Sequence, residues 1–393
     1  MKAIVIGAGV LGTSVTYQLA KRGVDVTLID KGLPGAAASA ASFAWLNAND
    51  KGEPPAYHDL NAMSIAEWTV VARELGTSSW LRREGNLHIV DNATDAAALA
   101  LTVERSRALG YAAVPLPVSG LSALDPVVRV RPEYELGVFF PDEGHITVPV
   151  LLHDLLGAAQ LLGATVRHST PVARLLLDKG RVSAVALDSG EELKADIVVL
   201  AAGAGIGELL ATQGVEARTQ GTLGVSVTTS PGASNLSTML HLPRLSVRPD
   251  SDGRIVVRSF AADKQIDTAS WTLPDEAVRD LIAQAAEGLT DLDPALVEAE
   301  RIRIAHRPYP LDGLPVIGEW EGLPGLYVMT MHSGVTLAAI TGRLAAEEIS
   351  NGEKSSLLNE FRPQRLVEAA AAGAVYSDPY ADREVAPVSQ LRS

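Results

Sequence analysis

The first thirty residues, MKAIVIGAGVLGTSVTYQLAKRGVDVTLID, allow few folds. Lys2–Ile6 is a short β-branched run of the kind that forms a buried parallel strand. GAGVLG at 7–12 follows, and Thr13–Arg22 then places Val15, Leu19 and Ala20 at helical spacing. Gly23 is a helix stop, and Val24–Ile29 is a second apolar strand that ends at Asp30. Strand, helix and strand make one βαβ unit with parallel strands and a right-handed crossover. Gly7 permits the tight turn, Gly9 lets backbone approach a pyrophosphate, and Gly12 lets the helix pack closely on the sheet. The helix N-terminus offers N–H groups and a positive dipole end to phosphates, and Val10 and Leu11 in the turn before it are further cofactor-binding candidates. Asp30, with Lys31 beside it, stands 18 residues beyond Gly12. A carboxylate there accepts hydrogen bonds from ribose hydroxyls and repels a 2′-phosphate, which disfavours NADP. The motif marks a dinucleotide site and by itself leaves FAD and NAD both open.

Composition removes other classes. The 393 residues contain no cysteine, which excludes disulfides, thiolate metal sites, thiol nucleophiles and any cysteinyl cofactor link. With 33 Lys+Arg against 47 Asp+Glu the net charge is −14, which argues against nucleic-acid binding. The apolar fraction of 47% is too high for a disordered chain. The length fits two domains or one large fold with an insertion. No secretory signal opens the chain, and no apolar run approaches the roughly 20 residues that span a bilayer. The expectation is a soluble, cytoplasmic protein.

Further along, Ala56–Leu75 and Ala93–Leu109 have helical patterns, while Leu87–Val90 and Leu136–Phe140 have strand patterns. Val148–Gly163 carries a strong helical apolar face. Thr165–Arg167 and Val172–Leu177 are strands, and Arg181–Leu187 forms a hairpin with the latter across Asp178-Lys179-Gly180. Asp196–Ala202 is a buried strand running into Gly203, and Leu326–Met331 is another. Thr222–Arg303 alternates strands with turns around one helix near Asp275–Gly288. Gly334–Asn351 is a helix stopped by Gly352, and Ala369–Ser393 is a small-residue surface tail.

Three blocks besides the fingerprint give the chain a resemblance. They are AAASAASFAWLNAN after the second strand, the pair TPVARLLLD and DIVVLAAGAG, and the C-terminal HRPYPLDGLPVIG followed by GLYVMTMHSGVTLAAITGRLAAEEI. Spread over nearly the whole chain, they resemble the FAD-dependent D-amino-acid oxidase, glycine oxidase and sarcosine oxidase superfamily. The resemblance implies an α/β fold, with a Rossmann-like FAD-binding domain interleaved with an α+β substrate domain on a mostly antiparallel sheet. It places the FAD domain at residues 1–80, 146–218 and 305–368, the substrate domain at 81–145 and 219–304, and a tail at 369–393. It also puts Ser39 and Ser42 near the cofactor, with Phe43–Asn49 by the flavin ring. Val172 meets the adenine, and Gly203 lies at a turn back toward the cofactor. Ser333, Gly334, Val335 and Thr336 aim a helix N-terminus at the flavin pyrimidine edge. Arg307 matches the arginine that clamps a substrate carboxylate, with Arg248, Arg301 and Arg303 as competitors and an Asp312 salt bridge as the plain structural role. His332 and Asn47 complete the catalytic candidates, and Trp45, Tyr57, His241 and Tyr309 are candidate pocket residues.

The implied reaction is hydride transfer from the substrate α-carbon to flavin, giving an imine that hydrolyses to a keto acid. A 2-hydroxy acid is the alternative substrate, with His241, His306 or His332 as base. A dinucleotide-binding module without redox role is the third possibility. Some sarcosine-oxidase relatives tether FAD to a cysteine, and others to a histidine in the small-residue loop. This chain has no cysteine, and residues 35–47 hold no histidine, so the FAD is expected to be non-covalent. Oxidase relatives place a lysine near the flavin on the middle strands. Here the one lysine in 253–265 is Lys264, with Arg258 the nearer cation, so the electron acceptor is oxygen or another partner. The remaining histidines are scattered, and no metal site is expected.

Overall fold

A computed structural model describes residues 1–216 and 219–371. Its central sheet has six strands in the order Val316–Glu319, Leu326–Thr330, Ile197–Leu200, Lys2–Ile6, Asp25–Ile29 and Thr165–Arg167. All neighbours are parallel except the first pair, which is antiparallel. Only two of the six strands belong to the N-terminal βαβ unit. The glycine-rich turn is therefore one wall of a site whose other walls come from residues far away in sequence.

The strands are apolar on both faces because both faces are covered. Val5 and Leu28 pack toward the Val10–Lys21 and Gly334–Asn351 helices, with Val15 and Leu337. Ile4, Ile6 and Ile29 pack the opposite way, against Leu175 and Val185 of a three-stranded sheet. Each such side chain contributes about 1.5–3 kcal/mol on burial. The two helices lie side by side: a Cβ added at Gly342 would stand 2.4 Å from the Ser14 hydroxyl, which itself donates to the Ala338 carbonyl at 2.7 Å.

The second sheet has eight strands in the order Ala299–Pro310, Thr219–Thr229, Ile255–Arg258, Ser246–Pro249, Met239–His241, Asn86–Val90, Leu136–Phe140 and Val114–Leu116. It is antiparallel apart from the Met239–His241 and Asn86–Val90 pair. Side chains alternate across it. Leu87, Val225, Val227, Val247, Ile255 and Val257 share a core with Val278, Leu281 and Ile282 of the Asp275–Gly288 helix. The intervening residues face the other way. This is the α/β architecture with an attached α+β unit that the resemblance implies.

Several boundaries differ from the sequence pattern. The first helix begins at Val10, not Thr13, because Gly9 is already its N-cap. The small-residue stretch is not all coil: Ala38–Ala41 makes one helical turn. The strand expected over Asp196–Ala202 is only Ile197–Leu200, since Ala201 turns off after bonding Ile6. Lys179 and Gly180 both take positive φ, as a two-residue hairpin turn with right-handed twist requires. The strand Ala299–Pro310 runs straight through the domain boundary expected at 304–305. Residues 369–371 of the expected tail close the Gln364–Ala371 helix, and 372–393 lie outside the described residues. No helix among the described residues is long and apolar enough to cross a membrane.

Candidate active site

Two of the fingerprint glycines, Gly7 and Gly12, sit where a side chain is sterically impossible. Gly7 has φ +104°, and a Cβ there would meet the Ala201 carbonyl at 2.5 Å. A Cβ on Gly12 would fall 1.8 Å from the Gly7 carbonyl oxygen. Gly9, the N-cap of the Val10–Lys21 helix, has no side-chain cap. The Val10 N–H instead donates to the Ser39 hydroxyl at 3.0 Å, so Ser39 stands at the helix N-terminus beside the glycine turn. Asp30 accepts from the Ala8 N–H at 2.6 Å and the Gly32 N–H at 2.7 Å, which pins its carboxylate at the strand end. Lys31 is exposed. Ser42 accepts from Ala44 N–H at 2.9 Å and shapes the loop. Residues 167–171 run alongside Asp30 through Thr170 N–H to Asp30 at 2.8 Å, which brings Val172 to this end of the cradle. Gly203, at φ +56°, turns the chain after Ile197–Leu200. Leu11 and Val10 lie 3.7–3.8 Å from a Cβ built on Gly334, so the two helix N-termini converge. Ser333 is the second helix's N-cap and hydrogen-bonds Tyr57 through its hydroxyl at 2.9 Å. Val335 and Thr336 follow in the first turn, and the Thr336 hydroxyl donates to the Trp45 carbonyl at 2.9 Å.

One face of the eight-stranded sheet looks onto this cradle. Val256 clusters with Phe43, Met239 and Trp45, so Arg258, two residues along, shares that face. Strand register carries the face onward: Arg258 opposite Ser246, Ser246 opposite His241, His241 opposite His88, and Thr222 opposite Arg307. Arg307 donates to Asp263 at 2.9 Å and also to the Leu223 carbonyl. Arg258 lies 3.7 Å from the same carboxylate. Asp312, the alternative structural partner for Arg307, binds Arg365 at 2.7 Å. Tyr309, on the same face as Arg307, meets His332 edge-on with ring centres 5.4 Å apart. Asp263 thus draws two guanidiniums together on this face. The polar atoms Thr222 Oγ1 and His241 Nε2 are buried without a hydrogen-bond partner among the described residues. Of the competing arginines, Arg248 is buried and donates to the Phe43 carbonyl at 2.8 Å, Arg303 donates to the Ala40 carbonyl at 3.4 Å, and Arg301 lies 3.8 Å from Asp250.

Asn47 is not at this face by any contact. It is buried and its amide is engaged by Asp50, which pairs with Lys51 at 2.7 Å. Its neighbour Asn49 reaches instead to Glu143, a fully buried carboxylate that the sequence pattern does not single out. Sequence placed it in a Pro-Asp-Glu-Gly turn; only the fold brings its donors together. His88 and His241, 153 positions apart, also meet, with ring centres 4.4 Å apart.

These groups set a pH profile for stability. Burial lowers His88 to about 3, and burial first, then charged neighbours, holds His145 and His241 well below the usual imidazole range. Burial raises Glu143 to about 8, although Asn86, Asn49 and Trp45 donate hydrogen bonds that oppose the shift. The histidines bind fewer protons folded than unfolded, so their contribution favours folding as pH rises to about 6.5. Glu143 binds its proton more tightly when folded, so its contribution is present below the usual carboxylate range and is lost as pH climbs through about 8. Between about 6.5 and 8 the Glu143 effect is the one remaining of these. The melting temperature is expected to fall across that window and to flatten in Glu143→Gln; a rise there in the wild type would contradict the assignment.

Residues 2–348 match the model of the family described as FAD dependent oxidoreductase. The chain belongs to that family. Among similar proteins, glycine oxidase of Pseudomonas aeruginosa is 30% identical over 378 residues, covering 90% of this chain and 95% of its own. Glycine oxidase of Geobacillus kaustophilus is 27% identical over 376 residues, covering 92% and 96%. The solved structure of glycine oxidase from Geobacillus kaustophilus superimposes with a TM-score of 0.82 at 24% identity, covering 92% of this chain and 98% of that one, which shows a shared fold. As an FAD-dependent oxidoreductase this is an enzyme and not a binding module without redox role, and its cofactor is FAD. The cradle fits a dinucleotide on its own terms, through Gly7 and Gly12, which no side chain could replace, and two converging helix N-termini. With no cysteine in the chain and no histidine in 35–47, acid precipitation is expected to leave a colourless pellet and yellow supernatant. Colour retained by the pellet would mean a covalent link.

Proposed function

We propose that this FAD-dependent oxidoreductase oxidises the C–N bond of a small amino acid or secondary amine. The observation that carries this is the clustering of two guanidiniums, Arg307 and Arg258, about Asp263 on the sheet face that looks onto the cradle. A guanidinium binds a carboxylate bidentately and fixes the α-carbon next to it. Asp263, also anchored by the Val225 N–H at 2.7 Å, keeps Arg307 oriented.

FAD, when bound, supplies the two-electron acceptor for hydride from the α-carbon. The protein's part is placement. Arg307 holds the carboxylate, the Tyr309–His332 pair lines the approach, and the Gly334–Asn351 helix N-terminus stabilises negative charge at the cofactor's edge. The amine proton leaves to solvent or to a neutral neighbour, and water then converts the imine to a keto acid and free amine. In this scheme Gly7, Gly9, Val10, Leu11, Gly12, Asp30, Lys31, Ser39, Ser42, Val172, Gly203 and Ser333–Thr336 hold the cofactor. Asn47 is a loop-shaping residue. Residues 1–80, 146–218 and 305–368 act as the cofactor domain and 81–145 with 219–304 as the substrate domain, joined through the strand Ala299–Pro310. The names of the relatives, glycine oxidases, support a small amino-acid substrate.

A 2-hydroxy acid is the second reading, favoured by His241, a neutral imidazole whose Nε2 has no partner among the described residues. Anaerobic bleaching of the bound flavin by D-amino, L-amino and N-methyl amino acids, set against 2-hydroxy acids, separates the two. Bleaching by hydroxy acids alone would reverse the order.

A further inference from the structure

Trp45 spans the site from floor to roof. Its carbonyl accepts the Thr336 hydroxyl at 2.9 Å, at the helix N-terminus. Its ring packs on His241 at 4.2 Å and on His88 at 5.5 Å, both on the sheet. Its indole N–H donates to Glu143 at 2.9 Å. Trp68 and Trp80 are fully buried core residues, whereas Trp45 keeps exposed surface although protein surrounds it above and below.

Glu143 fixes this indole with unusual completeness. Its Oε2 accepts from Trp45, from Asn86 at 2.9 Å and from Asn49 at 3.1 Å. Its Oε1 accepts from the Asn49 N–H at 3.2 Å, the Tyr111 hydroxyl at 3.2 Å and the Ala48 N–H at 3.3 Å. All six donors are neutral, and they come from the loop, the sheet and a distant connection. A buried carboxyl group engaged by six donors holds a rigid position.

The Trp45 wall shares a sheet face with Arg258, and the Arg307 strand lies two strands further along the same sheet. The strand of Arg258 and that of His241 are separated by the single strand Ser246–Pro249. Two strand spacings amount to about 10 Å, part of it filled by the side chains themselves. A substrate whose carboxylate sits at the Arg258 edge of the pair has room for a short substituent before it meets Trp45 and His241. We infer that Trp45, positioned by Glu143, limits the substrate to amino acids with side chains of one or two carbons. Trp45 is the specificity wall, and Glu143 acts through it as a positioning residue. This wall has meaning only if the substrate is a carboxylate-bearing amine, as proposed above.

The test uses flavin-loaded enzyme and two readouts. The first is kcat/KM along glycine, alanine, 2-aminobutyrate and norvaline, in the reactive configuration. The second needs no turnover: the Kd of acetate, propionate, butyrate and valerate from perturbation of the flavin spectrum. Wild type should favour the short members of both series. Trp45→Ala should raise the norvaline-to-alanine and valerate-to-acetate ratios by about tenfold or more, the worth of a methylene newly admitted to a pocket. Trp45→Phe and Glu143→Gln, which keep bulk but lose the tether, should shift both ratios in the same direction by a smaller factor. A wild type indifferent to chain length, or variants in which all members fall equally, would overturn the wall. Trp45→Phe keeps the test open if the alanine variant fails to hold flavin. Wild-type flavin bleached by no amino acid would instead count against the proposed function, and the carboxylate series would still report on the wall.

Discussion

Gly12→Ala protein is expected to purify without flavin. The added methyl would stand 1.8 Å from the Gly7 carbonyl oxygen, well inside van der Waals contact. Overpacking usually costs about 1–3 kcal/mol when side chains can move aside. Here the obstacle is backbone, and that backbone is the turn against which the pyrophosphate would rest. The Val10–Lys21 helix must shift away from the strand Lys2–Ile6, and its N-terminus would move off the phosphates. A displacement near 1 Å can cost about 100-fold in a positioned site, so FAD affinity should fall by at least about 100-fold. The ratio of visible flavin absorbance to protein absorbance measures this directly. Gly157→Ala is the matched control: it too lies inside a helix, Val148–Leu161, but its Cβ would meet nothing within 4 Å. It should keep its flavin. A yellow, stoichiometric Gly12→Ala protein would show that the cofactor lies elsewhere.

Arg307→Ala should keep its flavin and lose at least about 100-fold in kcat/KM. Hydrogen bonds to charged groups are worth about 1.5–3 kcal/mol each, and a bidentate carboxylate contact makes two. A loss of about 3 kcal/mol is roughly 100-fold, at 1.4 kcal/mol per factor of ten. Arg307→Lys should rescue little, because an ammonium keeps the charge but not the planar fork. Most of the loss should appear in KM if the arginine binds ground state and transition state alike, and in kcat if it aligns the α-carbon. Equal losses for amino acids and for simple amines without a carboxylate would place Arg307 in the fold and not on the substrate.

How much of this was legible in the sequence follows the separation of the residues involved. The glycine turn, its helix and Asp30 lie within thirty positions, and their chemistry depends on local backbone geometry, so their spacing is enough. The two halves of the antiparallel sheet were visible as alternating strands. Their pairing was not, because His88 meets His241 only through the register of strands far apart in the chain. Arg307 was found through its motif, with an Asp312 salt bridge as the alternative to a substrate-clamping role. The structure gives Asp312 to Arg365 and brings Asp263 across from a short helix. Glu143 was overlooked for the same reason in a sharper form. Its six donors come from residues 45, 48, 49, 86 and 111, and nothing in Pro-Asp-Glu-Gly distinguishes it from an exposed turn. A usable signal was the run of polar residues Asn47, Asn49 and Asp50 next to Trp45, which needed buried partners.

The most direct measurement is a single anaerobic turnover, with glycine, sarcosine and alanine offered in turn to enzyme carrying its own flavin. At least one should bleach the flavin completely and leave one equivalent of keto acid and one of free amine per flavin. Failure of every amino acid to bleach the flavin, or bleaching without a keto acid, would contradict oxidation of a C–N bond at this site.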